Sequence, residues 1–103
     1  FEMLRAYVEA AQELGFSDED AKKLVLGTVR GTLELAQESD LSLEDLRNNV
    51  TSKGGTTAAG LDALNGTGKY SALISETLLA AYERAVELRY RTPTDRNCFP
   101  GAA

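Results

Sequence analysis

Apolar residues recur at helical spacing through most of the chain, and short polar, glycine-containing stretches separate the runs. Met3, Leu4, Tyr7, Val8, Ala11 and Leu14 share one face of a segment from Glu2 to Leu14 that Gly15 ends. Ser17, with Asp20 three residues on, has the pattern of a capping box and predicts a helix reaching about Gln37. Leu24, Val25, Thr28, Val29, Thr32, Leu33 and Ala36 give it a broad apolar or small face. Gly27 and Gly31 weaken a helix unless another helix comes close there, so they predict close packing. A second start, Ser42 with Asp45, predicts a short helix from Leu43 to about Asn49. Gly54 and Gly55 stop it, and Thr56 or Thr57 is then expected to cap a further helix through Leu61 and Leu64. Asn65 to Gly68 reads as a turn, and Lys69 opens the last helix. Tyr70, Leu73, Ile74, Thr77, Leu78, Ala81, Ala85 and Leu88 form its apolar stripe, the longest in the chain. Glu83, Arg84, Glu87 and Arg89 give it a charged outer face.

No segment alternates as a strand does. The pattern therefore predicts an all-α fold of four or five helices over residues 1–91. From Thr92 on, two prolines, a glycine and no periodicity predict an irregular C-terminal tail, 92–103.

Composition narrows the functions that such a bundle can have. The 103 residues with 43% apolar content suit one domain with a packed core. Eleven basic and 16 acidic residues leave a net charge of −5, which argues against nucleic acid or an anionic membrane as partner. No apolar run approaches the roughly twenty residues of a membrane span, and no secretion signal opens the chain, so a cytoplasmic protein is expected. The single cysteine, Cys98, has no intrachain partner and reads as an incidental thiol. Histidine is absent, which excludes Ser-His and Cys-His triads. Asp18, Glu19 and Asp20 lie in the first turn of a helix, where they complement its dipole. They lack the spacing of a calcium loop, and no metal is expected.

The polar run from Thr51 to Thr57 is the stretch with candidate chemistry. Helix, polar loop and helix place unpaired N–H groups, a positive helix end and the hydroxyls of Ser52, Thr56 and Thr57 in one neighbourhood, which suits a small anion. Taken alone, the residues fit a plain turn and N-cap better, because most Gly-Gly-Thr sequences bind nothing. A nucleotide P-loop is excluded, since Thr56 and not lysine follows Gly55 and a helix precedes the loop.

Read whole, Leu46, Val50, Thr51, Ser52, Gly54, Gly55, Thr57, Gly60, Leu61 and Leu64 resemble the signature of pyrroline-5-carboxylate reductases. The resemblance runs from Phe1 to Leu88. It implies a helical dimerisation domain that interlocks with a second copy, within an enzyme that reduces 1-pyrroline-5-carboxylate to proline with NADPH or NADH. It implies a homodimer as partner state, in some members a ring of dimers. By the same resemblance the substrate loop falls on Asn49, Val50, Thr51, Ser52, Lys53, Gly54, Gly55, Thr56 and Thr57. Ser52 and the amides of Gly55, Thr56 and Thr57 would hold the substrate carboxylate, and the Thr57 hydroxyl would face the imine nitrogen as the catalytic group. The family usually has proline where Lys53 stands, a departure that leaves the loop less rigid.

The nucleotide-binding Rossmann half of such an enzyme is not in this sequence. No cofactor binding and no activity are therefore expected of this stretch alone. A free-standing, non-catalytic helical dimerisation module is the other reading. The opening on Phe1, without methionine, favours a piece of the longer enzyme.

Overall fold

In a computed structural model that describes residues 1–90, five helices follow one another: α1 (Glu2–Glu13), α2 (Asp18–Glu38), α3 (Leu43–Asn49), α4 (Thr56–Asn65) and α5 (Lys69–Arg89). No strand occurs among the described residues, so the expected all-α class is the observed one. The tail expected over 92–103, with Cys98, lies outside the described residues. The helices fall into two compact units, Phe1–Val50 and the stretch from Thr51 onward.

In the first unit α1 packs against α2. Its end follows from the sequence: the Phe16 N–H donates to Ala11 O and the Gly15 N–H to Gln12 O, with Gly15 at φ +109°. This pair of bonds around a left-handed glycine is the Schellman motif, and it satisfies carbonyls that the helix leaves open. Ser17 then starts α2 by accepting the Asp20 N–H at 3.1 Å, as its spacing predicted. Gln12 Nε2 reaches across to Asp18 Oδ1 at 3.2 Å. Leu4, Val8 and Ala11 on α1, and Ala21, Val25 and Val29 on α2, are the inward positions. Small side chains let the two backbones approach, and Ala11 and Ala21 are the only buried apolar residues among those described. Ser42 starts α3 in the same way, accepting the Asp45 N–H at 3.1 Å.

In the second unit α4 packs against α5, with Ala58, Leu61 and Asn65 as the less exposed stripe of α4. Both helices start on a glycine, Gly55 for α4 and Gly68 for α5, and neither start has a hydrogen bond from the cap's own side chain. The expectation that Thr56 or Thr57 caps α4 is thereby corrected. Both threonines lie inside the helix, because the turn before it delivers Gly55 in extended conformation, φ −86° and ψ −178°, to the cap position.

A packed core was expected from the apolar content, and the described residues do not supply one. The α5 stripe stays exposed, Leu73 at 57%, Leu78 at 66% and Tyr82 at 67%. Space beside Gly27 and Gly31 is open, so the close approach expected there is not made by the described chain itself. A groove of about 310 Å³ along α1 and α2, lined by Tyr7, Leu14, Leu24, Val25 and Thr28, is likewise open. No described helix is long and apolar enough to cross a membrane.

Candidate functional site

The candidate residues sit at the junction of α3 and α4. Asn49 is the last residue of α3 and Val50 its C-cap, 64% exposed, and both belong to the first unit. Ser52, Gly54, Gly55, Thr56 and Thr57 belong to the second, where the structure gathers them into one turn and the helix start that follows.

The turn is closed by the Gly55 N–H donating to Ser52 O at 3.0 Å. Gly54 stands at its third position with φ +72°, and no residue other than glycine in the described chain has positive φ. That combination is a type II turn, which requires a left-handed third residue. Lys53 occupies the second position, the place where proline fits such turns best.

Gly55 is constrained differently. Its φ is ordinary, but a Cβ added to it would overlap Ser52 Oγ and stand 3.3 Å from Ser52 O. The serine hydroxyl therefore lies directly against the glycine, at the mouth of the helix.

Four amides at any helix start lack intrahelical partners. In α4 the first bond back to the cap is from the Ala59 N–H to Gly55 O at 3.1 Å. The amides of Thr56, Thr57 and Ala58 precede it, while the Gly55 amide is engaged in the turn. The family resemblance implied the amides of Gly55, Thr56 and Thr57 as the carboxylate's donors. Moving the cap to Gly55 shifts the set by one residue and brings in Ala58, which sequence reading passed over.

Charge sets this helix start apart from the others. Asp18, Glu19 and Asp20 occupy the first turn of α2, Glu44 and Asp45 that of α3, and Glu2 that of α1. The first turn of α4 carries no acid and no side-chain cap. α5 also lacks an acid, but there Asn65 Oδ1 accepts the Ser71 N–H at 3.1 Å. Among the described helix starts, α4 alone leaves its positive end without a carboxylate or a side-chain acceptor. Such an end favours a small anion. No cluster of three or more metal-ligating side chains occurs among the described residues.

Comparison with known proteins agrees with the sequence signature. Residues 1–88 match the family model described as pyrroline-5-carboxylate reductase dimerisation. The chain is 40% identical over 88 residues to the pyrroline-5-carboxylate reductase of Staphylococcus haemolyticus (strain JCSC1435), covering 85% of this chain and 32% of that protein. It is 39% identical over 88 residues to the enzyme of the same name from Staphylococcus aureus (strain COL), covering 85% and 32%. To that of Staphylococcus epidermidis (strain ATCC 12228) it is 38% identical over 91 residues, covering 88% and 33%. The chain thus spans about a third of the length of the curated relatives it matches. No solved structure matches it.

Proposed function

This chain belongs to the pyrroline-5-carboxylate reductase dimerisation family, and from that premise we propose that it is the self-associating and substrate-holding part of an enzyme that reduces 1-pyrroline-5-carboxylate to proline. The observation that carries the substrate site is the α4 start, the one described helix start with neither acid nor side-chain acceptor. A carboxylate placed there accepts hydrogen bonds from the amides of Thr56, Thr57 and Ala58, with the Ser52 hydroxyl beside Gly55 as a further donor. Gly54 supplies the left-handed bend that aims the helix start, and Asn49 and Val50 complete the substrate loop by family resemblance. Thr57, on the first turn, offers its hydroxyl to the imine nitrogen of the bound ring, orienting it and stabilising the positive charge taken up on protonation.

NADPH or NADH supplies the hydride when bound. By the family resemblance its site lies in a nucleotide-binding half of the enzyme, where dinucleotides sit at the carboxyl ends of parallel strands. The cofactor site therefore belongs to another domain of the enzyme, and this chain alone is inactive in the proposed scheme.

Self-association belongs to the same proposal. The exposed stripe of α5 and the open space at Gly27 and Gly31 support a second copy of the chain as the covering partner, interlocked with the first. A ring of such dimers is the further step of that assembly, and a cytoplasmic location goes with a chain whose sole cysteine needs no disulfide.

The kinetic test is Thr57→Ala in the intact enzyme. A charge-assisted hydrogen bond contributes about 1.5–3 kcal/mol, so catalytic efficiency falls roughly ten- to a hundredfold, and Thr57→Ser restores most of it. An unchanged kcat/KM in a correctly folded Thr57→Ala enzyme would remove the residue from the site. Sedimentation tests the association, and a well-folded monomer at micromolar concentration is the contrary result.

A further inference from the structure

α5 begins on Gly68, which has no side chain with which to cap it. The capping acceptor comes instead from Asn65, at the end of α4. Asn65 Oδ1 accepts the Ser71 N–H at 3.1 Å, and Asn65 Nδ2 donates to Ser71 Oγ at 2.9 Å. Because an amide N–H can only donate, this contact fixes which way the carboxamide faces.

The next residue is Gly66. Its N–H donates to Asp62 O at 2.9 Å, and a Cβ added there would overlap Asp62 O and lie 2.5 Å from Asp62 Oδ1. Space therefore demands glycine at 66, and the α5 cap demands an amide or carboxylate at 65. Together they admit Asn-Gly or Asp-Gly, and this chain has Asn-Gly, the dipeptide in which side-chain cyclisation is least hindered because the second residue has no side chain.

We propose that Asn65-Gly66 is a latent deamidation site, held unreactive by the α5 cap and released when the turn between α4 and α5 opens. In the reaction the Gly66 nitrogen attacks Asn65 Cγ. The N–Cγ bond forms, the Cγ–Nδ2 bond breaks, and Nδ2 leaves as ammonia with the proton from Gly66. Water then adds to either carbonyl of the cyclic imide and opens it to aspartate or isoaspartate. Nothing is oxidised or reduced.

Both reacting atoms are held in the folded turn. The Gly66 N–H is engaged with Asp62 O, and the carboxamide is held at both ends by Ser71. The two products differ in consequence. Aspartate keeps an acceptor for the Ser71 N–H at a positive helix end, so α5 stays capped. Isoaspartate lengthens the backbone at the end of α4 and takes the acceptor out of register. The site therefore records how often this turn opens, in a chemically permanent form.

The test is peptide mass spectrometry of the intact protein aged at mildly alkaline pH, with a urea-unfolded sample as reference and Ser71→Ala alongside. The expected result is slow conversion at Asn65 in the folded protein, fast conversion in urea, and roughly a fivefold rise in folded Ser71→Ala, as loss of one neutral hydrogen bond increases the open population. Circular dichroism checks that Ser71→Ala folds. For a variant that does not, Asn65→Asp replaces it, and its melting temperature stays close to that of the parent while Asn65→Ala melts lower. Conversion in the folded parent as fast as in urea overturns the proposal, as does a folded Ser71→Ala with the parent's rate. If Asn65→Asp is the arm used, melting as low as Asn65→Ala overturns it too.

Discussion

The two units of the chain close their helices by different means. In Phe1–Val50 every junction is finished by residues next to it in sequence: a Schellman turn at Gly15, a serine cap at Ser17 and another at Ser42. Acids in the first turns of all three helices complement the dipoles. From Thr51 on, both helices start on glycine and neither first turn has an acid. One start borrows its cap from Asn65 across six residues, and the other is left open. The lesson is that a helix start with no local capping residue is either served from a distance or available to a ligand. Burial divides in the same direction, since the buried alanines Ala11 and Ala21 both lie in the first unit and α5 has no buried residue at all.

That contrast breaks most readily at Ala21, which is 0% exposed. Ala21→Leu forces added methylenes into the α1–α2 seam and lowers stability by about 1–3 kcal/mol. The loss is the same at every protein concentration, because the seam is within one chain. Leu78→Ser, at a residue 66% exposed in the single copy, behaves oppositely. Its effect grows with the share of molecules that associate, so the drop in Tm depends on concentration. Thermal melts of both variants over roughly a hundredfold dilution separate the two. Parallel behaviour of the variants would erase the distinction between a seam within the chain and one between copies.

A smaller effect sharpens the comparison within the turn itself. Gly54→Ala places a side chain at φ +72° and costs about 1–2 kcal/mol of stability. Gly55→Ala meets no such strain, because φ −86° is open to alanine. It displaces the Ser52 hydroxyl instead, so substrate KM rises more than Tm falls. Melting curves and steady-state kinetics on the intact enzyme check the pair, and the reverse ranking would show that Ser52 plays no part at the helix mouth.

The smallest effect lies at the far end of the first unit. Arg5 hydrogen-bonds both Glu2 oxygens, at 2.6 and 3.0 Å, and Glu9 at 2.8 Å. The hydrogen bond from Arg5, with its charge, holds the Glu2 carboxyl below the ordinary glutamate range. A carboxyl lowered on folding stabilises the native state above its unfolded pKa, and that contribution disappears as the pH falls through the lowered folded value. All three side chains are well exposed, so the effect is small and is screened by salt. Tm measured against pH for the parent and Arg5→Gln should differ slightly at neutral pH and converge in strong acid. A gap that widens in acid would contradict the sign.

Much of this was legible in the residue order because the determinants were local. Ser17 and Ser42 each have their partner three residues on, and the periodicity of α1, α2 and α5 survives reading without a structure. The cap of α4 was misplaced for a reason of the same kind. Thr56 and Thr57 are good capping residues, and nothing in the sequence shows that Ser52 draws Gly55 into a turn first. The Asn65 contact was missed because its partner is six residues away and its logic depends on the missing side chain at Gly68. The proposed substrate loop rests on a family signature, while the absence of acids in the first turn of α4 could have been read from the sequence and was not. The stripe from Tyr70 to Leu88 was legible as a stripe, and its exposure in the single copy fits the second copy that the family resemblance implied.

The exposed face of α5 also has a calorimetric meaning. The heat-capacity change of unfolding follows the apolar area that is hidden in the native state and wetted in the unfolded one, about 12–15 cal/mol/K per residue for an ordinary globular domain. A single copy, in which Ala11 and Ala21 are the buried apolar residues among those described, hides too little to reach that value. Under the proposed association, most of the heat-capacity change therefore belongs to the meeting of copies. The curvature of stability with temperature is then a property of the pair, and cooling weakens the contact between copies before it weakens the α1–α2 seam.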